Sequence, residues 1–400
     1  MWVVRNATWV DSDLTPWTAA NSVRARSCGS TRPSCVGQWN SSGPPALDGL
    51  DPSGRPRERI IPDVLLLGCY KCGTTSLSQF ICRLPGFQCL VSKEPGAFAL
   101  WPTGAPHELC PGEILRWWVA GRWGWGPSLS TRRPCDPADA VEPASPGRRL
   151  VDASVVHLAQ PFSAPAMAHF SFAPSAQPRL VFLFRHPSDR ALSHWKYRTR
   201  RPPPDPAVAN WQRKNAWSRA ASVHEFMFHS PCGLAGVRNQ TRAAAPADMA
   251  KLLAPQGDTH RSLASGFGGV DFAANSIAGG WYAVQLYPWL DLFRSTHHML
   301  ILEEIRSSGD VLGALGAFLG VGEDREYRVL PHLNRAEPSS LVHTNESSET
   351  GMEAVRAQLD VFYRPYNELL CDLLERWDYA TTAAAVRTHW NRTITPPERR

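Results

Sequence analysis

The chain has 400 residues, of which 43% are hydrophobic and 20% are charged, the composition of an ordinary globular protein. A chain of this length can form one large domain or two ordinary ones. Its net charge of +6 is small for its length. This charge disfavours a nucleic-acid binder, which normally concentrates a much stronger basic excess in a patch or tail.

The first part of the chain, residues 1–58, is rich in Ser, Pro, Gly and Arg and lacks hydrophobic periodicity, which predicts a stem or loose arm. No signal peptide is visible there, and no stretch approaches the ~18 apolar residues of a membrane span. Either the start of the chain is incomplete, or the protein enters its compartment in a way that the sequence does not show, and a possible membrane anchor is not visible in this chain.

Five N-x-S/T sequons and ten cysteines nevertheless favour the secretory pathway, and the sequons fall in segments that we predict to be loops or tails. The asparagines of these sequons are Asn6, Asn40, Asn239, Asn345 and Asn391.

Regular structure is predicted to begin with the short apolar run DVLLLG at 63–68, a buried strand that leads into a helix from Thr74 to about Arg83. Pro85 then stops this helix. Two further buried strands are predicted in RRLVDASVV (148–156) and PRLVFLFR (178–185). The second strand leads directly into the helix HPSDRALSHWKYR, which has Pro187 and Ser188 near its start.

A segment rich in Pro, Ala and Gly, about 201–270, is predicted to be an insertion or a series of long surface loops. The elements predicted after it are a helix in WYAVQLYPWLDLF with a kink or late start at Pro288, a strand in HMLILEE (298–304), a helix in GDVLGALGAFLGV, and two helices, 352–363 and 366–377, divided by Pro365. In the third of these, Val311, Leu312, Leu315, Phe318 and Leu319 share one face.

Strands that alternate with helices predict an α/β fold in three layers, with a mostly parallel central sheet covered on both sides. The predicted organisation is a domain at 59–380, preceded by the stem and followed by a C-terminal tail at 381–400.

The strand–loop–helix at Gly68–Ser76 predicts a site for a phosphate or sulfate group, because free backbone N–H groups and the positive end of a helix dipole meet there. Gly68 and Gly73 let the backbone approach an anion closely, and Lys71 adds a full charge. The alternative for this segment alone is a tight turn capped by Thr74.

A metal-dependent NTPase is disfavoured by the same loop. The nucleotide-binding P-loop is G-x-x-x-x-G-K-[ST], whereas here Thr74 follows the second glycine and Lys71 lies two places before it. We also find no convincing apolar strand that ends in a magnesium-binding Asp.

Three motifs together resemble a known enzyme family. GCYKCGTTSL resembles the 5′-phosphosulfate loop of sulfotransferases that use 3′-phosphoadenylyl sulfate (PAPS), and FRHPSDRALSHWKY resembles their second signature, R-x-P-x-x-R-x-x-S-x-[YFW]. SKEPGAFAL (92–100) is similar to the K-E-P segment of Golgi sulfotransferases that act on glycosaminoglycans. The likeness spans about residues 60–378 except the insertion, and its C-terminal half resembles the branch that sulfates N-acetylgalactosamine 4-sulfate at O6.

The resemblance implies roles for the donor-binding residues. Lys71 would contact the sulfate and the bridging oxygen and would offset charge on the departing phosphate. Arg185 and Ser193 would bind the 3′-phosphate, for which the planar fork of an arginine is suited, and Arg190 would be structural. The residues expected around the 5′-phosphosulfate are Lys71, Cys72, Gly73, Thr74, Thr75 and Ser76.

The resemblance further implies that Glu94 is the base for the acceptor hydroxyl, with Lys93 helping to bind the donor sulfate or an acidic acceptor. Gly96 and Ala99 depart from the family pattern, so the wall that faces the acceptor is expected to differ. Other family members use a histidine, for which His157 and His186 compete.

The cysteines are given structural roles. We interpret Cys69 and Cys72 as loop packing in preference to a dithiol function, and Cys82/Cys89 and Cys110/Cys135 as plausible disulfides. The basic run at Arg198, Arg200 and Arg201 is either a solvated surface or a receiver for a sulfated sugar chain.

The resemblance therefore implies a PAPS-dependent carbohydrate O-sulfotransferase of the Golgi lumen, with PAPS as donor, no metal, and an acidic polysaccharide as acceptor. Galactosamine-containing, glucosamine-containing and algal or microbial polysaccharides all fit as the acceptor. The alternatives are a nucleotide kinase or NTPase with a variant P-loop, and a non-catalytic glycan-binding protein on the same fold.

Overall fold

The computed structural model of the protein describes residues 3–5, 8–10, 62–89, 148–161, 164, 165, 168, 177–199, 222–230, 233–241, 245–254, 263, 266, 267, 270, 272, 273, 275–293, 297–308, 310–321, 330 and 349–390. Most of the predicted stem, the K-E-P segment at 92–100 and the residues Arg200 and Arg201 of the basic run lie outside these residues. So do the sequons at Asn6, Asn40, Asn345 and Asn391.

A five-stranded sheet with the order β4-β5-β3-β6-β7 forms the centre of the fold, and every pair of neighbouring strands in it is parallel. The strands are β3 (Val64–Gly68), β4 (Phe87–Cys89), β5 (Arg149–Asp152), β6 (Arg179–Phe184) and β7 (His297–Ile301). A separate antiparallel ribbon joins β1 (Val3–Arg5) to β2 (Thr8–Val10). Because all five central strands run the same way, their carboxyl ends lie along one edge.

Helices flank this sheet. In chain order they are α1 (Thr74–Arg83), α2 (Pro187–Thr199), α3 (Leu234–Gln240), α4 (Pro246–Leu253), α5 (Tyr282–Leu292), α6 (Leu302–Ser307), α7 (Asp310–Leu319), α8 (Glu349–Arg376) and α9 (Ala380–Trp390). A π-helical turn at Glu225–His229 and a 3₁₀ turn at Ala278–Gly280 precede α3 and α5 respectively.

The core is built on the two central strands, β3 and β6. The side chains of 64–67 and 180–184 are all fully buried, on both faces of the sheet. A strand that is buried on both faces reads as a continuous apolar run, and this is why VLLL and LVFLF do not alternate with polar residues. The predicted three-layer α/β fold with a mostly parallel sheet is confirmed.

Two predictions about proline need correction. α5 already starts at Tyr282 and continues through Pro288, so the late start was wrong, and the predicted division at Pro365 was wrong because α8 is a single helix of 28 residues. Proline removes one backbone hydrogen bond from a helix, which normally breaks it. In α8, side chains on both sides of the proline, such as Tyr363 and Leu370, are buried, and this burial stabilises the helix as one element.

Three loop or tail predictions also need correction. Much of the predicted tail at 381–400 is the helix α9, whose Val386 and Trp390 are buried. Asn239, predicted to lie in a loop, belongs to the last turn of α3. Within the 201–270 segment, α3, α4 and the π-helical turn bury Phe226, Met227 and Met249 in the core, so this segment is not only surface loops. Isolated apolar residues between prolines carry too little periodicity to reveal such short helices.

Among the described residues, no helix combines the length and hydrophobicity that crossing a membrane requires.

Burial of His297 on β7 predicts a pH-dependent stability. This side chain is 9% exposed, and burial holds its pKa at about 4, below the ordinary 6.5. As the pH falls below about 6.5 the unfolded chain takes up a proton that the folded chain does not, so stability falls until about pH 4. We expect a loss of roughly 2–3 kcal/mol over this window, measured by urea unfolding.

His297→Gln should flatten this part of the pH profile, because glutamine has no proton to take up. His224→Gln, which removes an exposed histidine, serves as the control. Equal pH profiles for the intact protein and His297→Gln would contradict the prediction.

Candidate anion-binding site

The loop between β3 and α1 is shaped by two left-handed backbone positions. Lys71 has φ +70° and Gly73 has φ +95°, and the carbonyl of Gly73 accepts the amides of Ser76 and Leu77 at 3.0 and 3.1 Å as the helix begins. A left-handed lysine is uncommon and costs about 1–2 kcal/mol. The first turn of α1 carries no acidic residue, so nothing there opposes the positive end of the helix dipole.

Gly68 is required by the close approach of the loop to the start of the helix. A Cβ at this position would lie 2.1 Å from Cγ2 of Thr74, a distance that requires the Thr74 side chain or the backbone to shift. The loop therefore folds back tightly over the end of β3, as in loops that enclose an anion.

Lys71 is held at both its backbone and its side chain. Its carbonyl oxygen accepts a hydrogen bond from Nη1 of Arg185 at 2.9 Å. Its ammonium group lies over the ring of Tyr197 on α2, 4.6 Å from the ring centroid, within the range of a cation–π interaction. The charged end of Lys71 is thus kept between the loop and α2.

Arg185 directly follows β6, the neighbour of β3 in the sheet, and its guanidinium is largely desolvated. Nε of Arg185 is buried and has no hydrogen-bond partner among the described residues. Burial lowers the pKa of Arg185, an effect opposed chiefly by the carboxylate of Asp189. Asp189 also pairs with Arg356 of α8 at 3.0 Å, so its charge is shared between two arginines.

Lys71 and Arg185, which follow adjacent parallel strands, therefore both lie at the carboxyl edge of the sheet, next to the amino end of a helix. An arginine with an unsatisfied buried N–H favours an anionic partner, since a buried charge without one is costly. This donor set suits a ligand with more than one phosphate or sulfate group.

The expected hydroxyl donors differ in exposure. Thr75 is half-buried, whereas Thr74 and Ser76 are buried, and the amide of Ser76 already donates to Gly73. Ser193 lies half-buried on α2, in the helix that follows Arg185. Gly73, Thr74 and Thr75 lie at the amino end of α1, where the backbone amides of a helix point outward.

Arg190 is fully buried, and its Nη2 donates to the carbonyl of Ser276. This contact agrees with a structural role. A Cβ on Gly279 would lie 2.7 Å from Nη1 of Arg190, which shows how tightly this side chain is packed.

Cys69 and Cys72, interpreted as separate packing residues, are joined in a disulfide across the loop, with their Cα atoms 5.3 Å apart. The turn in which the Cys72 amide donates to the Cys69 carbonyl brings them within bonding range. A second disulfide joins Cys82 to Cys89, as predicted, and Cys110 and Cys135 lie outside the described residues.

Of the candidate bases, Glu94 and its neighbour Lys93 lie outside the described residues. Both competing histidines are buried. Nε2 of His157 lies 3.8 Å from Oδ2 of Asp152, and Nε2 of His186 lies 3.2 Å from the carbonyl oxygen of Trp390. His157 is fully buried and His186 is 3% exposed, so both imidazoles are shielded from solvent.

One apolar strand ends in an acid that was not singled out from the sequence. This strand is β5, which ends in Asp152 and lies beside β3. Asp152 is fully buried opposite Leu65, and its Oδ1 accepts hydrogen bonds from the amide and hydroxyl of Ser154 at 2.9 and 2.5 Å. The carboxylate of Asp152 is therefore already hydrogen-bonded to Ser154 inside the protein.

Three further residues at this edge were missed. Tyr197 follows Ser193 by one helical turn, so the i, i+4 spacing could have placed it on the same face. Glu303, just after β7, accepts hydrogen bonds from the His186 amide and from Nε1 of Trp390, both at 3.1 Å. The hydroxyl of Tyr282 donates to the carbonyl of Arg185 at 2.8 Å, a contact across 97 residues that no local pattern announces.

No protein-family model matches the chain, and no curated protein matches it. Among solved structures, it is similar to a sulfotransferase from Alicyclobacillus acidocaldarius, with 18% sequence identity and a TM-score of 0.42 over 80% of this chain and 99% of that chain. Among the described residues, no group of three or more His, Cys, Asp or Glu side chains is arranged to hold a metal ion.

The tight loop predicts that Gly68→Ala destabilises the protein. The added methyl group has no room beside Thr74, so we expect a loss of about 1–3 kcal/mol in the free energy of unfolding, measured with urea. Gly313→Ala in α7 is the matched control, because nothing lies within 4 Å of a Cβ there. That control should be stabilising by up to about 1 kcal/mol through helix propensity. Equal effects of the two substitutions would contradict the tight approach of the loop.

Proposed function

We propose that the protein is a sulfotransferase that moves a sulfuryl group from PAPS to a hydroxyl of a glycan. The observation that carries this proposal is the hydrogen bond from Arg185 to the carbonyl of Lys71, which sets two anion-binding segments side by side. PAPS is a nucleotide with phosphate at both the 5′ and the 3′ position, so its binding requires two such segments.

The chain's own residues fit this donor. The amino end of α1 and the ammonium of Lys71 would hold the phosphosulfate, and the partly buried guanidinium of Arg185, with Ser193, would hold the 3′-phosphate. When bound, PAPS supplies the sulfuryl group and a phosphate leaving group. Lys71 would stabilise the negative charge that develops on the bridging oxygen as the bond to sulfur breaks.

The acceptor side of the proposal rests on the sequence. The hydroxyl oxygen of the acceptor forms the new bond to sulfur, and its proton passes to a base, for which we propose Glu94. The basic residues Arg198, Arg200 and Arg201 would attract an acidic polysaccharide. A glycosaminoglycan-like acceptor and the five sequons together favour localisation of the protein in the Golgi lumen.

Binding of adenosine 3′,5′-bisphosphate tests the donor site without requiring the acceptor. The intact protein should bind the bisphosphate at least about tenfold more tightly than adenosine 5′-monophosphate, because a charge-assisted hydrogen bond contributes about 1.5–3 kcal/mol. Arg185→Gln should remove most of this preference, measured by titration calorimetry.

Arg364→Gln, which removes an exposed arginine on α8, should leave that preference intact. If the intact protein binds neither nucleotide, the proposed donor is wrong. A bisphosphate preference that survives Arg185→Gln would reject only the role of Arg185.

Transfer of labelled sulfate from PAPS to a panel of glycans tests the reaction itself. We expect transfer to an acidic polysaccharide, reduced at least about a hundredfold in Lys71→Ala and in Glu94→Gln, since charge stabilisation and proton transfer each contribute about 10²–10⁴ in rate. Lys251→Ala, at a highly exposed lysine of α4, is the control for Lys71→Ala. Tight bisphosphate binding with no transfer to any glycan would favour a glycan-binding protein, and phosphate release from ATP would favour an NTPase.

A further inference from the structure

We infer that Tyr282 is a positioning residue, whose hydroxyl fixes Arg185 relative to the Lys71 loop and so sets the preference for a ligand with a second phosphate. This inference rests on the proposed function, because it concerns the spacing of the two anion-binding segments of that site. It assigns no chemical step to the tyrosine.

The first observation is where the hydroxyl of Tyr282 lies. It donates to the carbonyl oxygen of Arg185 at 2.8 Å and lies 3.4 Å from Sγ of Cys69 and 3.9 Å from Sγ of Cys72. Cys69 and Cys72 are the two ends of the disulfide that encloses Lys71. One oxygen atom thus touches the chain on both sides of the site.

The second observation is that the contacts around the site form a closed ring. Arg185 reaches forward to the carbonyl of Lys71 through its side chain, while its own carbonyl is held by Tyr282. The disulfide then leads from Lys71 back to Tyr282, whose hydroxyl makes a van der Waals contact with Sγ of Cys69 because its one proton goes to Arg185. In such a ring, the guanidinium and the loop cannot move apart without loss of a hydrogen bond or of this packing contact.

The third observation is that Tyr282 itself is rigid. It is the first residue of α5, is 2% exposed, and packs its ring against Phe184 at 5.1 Å and Trp390 at 5.7 Å between centroids. Burial raises the pKa of Tyr282 well above its ordinary value, so the hydroxyl keeps its proton and remains a donor. A fixed ring with a fixed donor is suited to hold a backbone carbonyl in one place.

Positioning by Tyr282 is separable from general support of the fold. A structural hydroxyl would change the affinity for every nucleotide equally, or only the stability. A hydroxyl that places Arg185 would selectively change the contribution of the 3′-phosphate. The readout is therefore a ratio: the Kd for adenosine 5′-monophosphate divided by the Kd for adenosine 3′,5′-bisphosphate.

Tyr282→Phe removes the hydroxyl and keeps the ring. We expect the ratio to fall about three- to tenfold, the effect of one lost hydrogen bond, with little change in the Kd for adenosine 5′-monophosphate. In an Arg185→Gln background the same substitution should leave the ratio unchanged, because the tyrosine acts through that arginine.

Tyr363→Phe is the matched control. Tyr363 is also fully buried, and its hydroxyl donates to the carbonyl of Ile277 at 2.9 Å, away from the Lys71 loop. We expect a similar loss of stability and an unchanged ratio. If Tyr282→Phe fails to fold, 4-fluorophenylalanine at position 282 fills the volume of the hydroxyl without donating a hydrogen bond and carries the same expectation.

The outcomes separate the two proposals. A ratio near one in the intact protein would reject the proposed donor and, with it, this inference. A high ratio in the intact protein that is unchanged in Tyr282→Phe, or in the 4-fluorophenylalanine protein, would reject the positioning role alone. An equal fall of the ratio in Tyr363→Phe would do the same, because it would show a general effect of losing a buried hydroxyl.

Discussion

The hydrogen bond from Arg185 to the carbonyl of Lys71 is the contact on which the site depends. The two residues are 114 positions apart, yet they follow neighbouring parallel strands, β3 and β6, whose carboxyl ends lie at one edge. The register places Gly68 opposite Leu183, so both chain segments leave the sheet at nearly the same level. A parallel sheet therefore turns two short sequence motifs into one place where charges converge.

Local signals were sufficient for this part of the molecule, since the strand, the loop and the helix at 64–83 are each specified by nearby residues. Apolar runs fixed β3 and β6, and α1 begins and ends at the residues that the pattern indicated. Lys71 and Arg185 were identified as candidate anion-binding residues from two motifs of fixed spacing. Their direct contact could not be read from the sequence, because it depends on the order of strands in the sheet.

Three other features, the continuity of α8, the position of Trp390 and the role of Tyr282, could not be predicted because they depend on tertiary packing. Pro365 reads as a break, but buried residues on both sides of it keep α8 in one piece. Trp390, in a segment that reads as a tail, reaches the site edge through its hydrogen bond to Glu303 and its contact with His186. Tyr282 likewise has no local signature of its role, since its partners are distant in sequence. Packing against residues distant in sequence determines each of these features, whereas sequence patterns mainly indicate interactions between residues close in sequence.

Two features of the site are unfavourable in free energy: the left-handed backbone of Lys71 and the partial desolvation of the Arg185 guanidinium. Neither feature stabilises the fold by itself, and both would be relieved by simple changes such as a glycine at one and an apolar residue at the other. The structure bears these costs because Tyr282, Glu303 and the Cys69–Cys72 disulfide hold the surrounding chain in place. A left-handed lysine and a partly desolvated arginine at one edge of the sheet are costs that a fold typically bears at a functional site, and they support the proposal that this edge receives an anion.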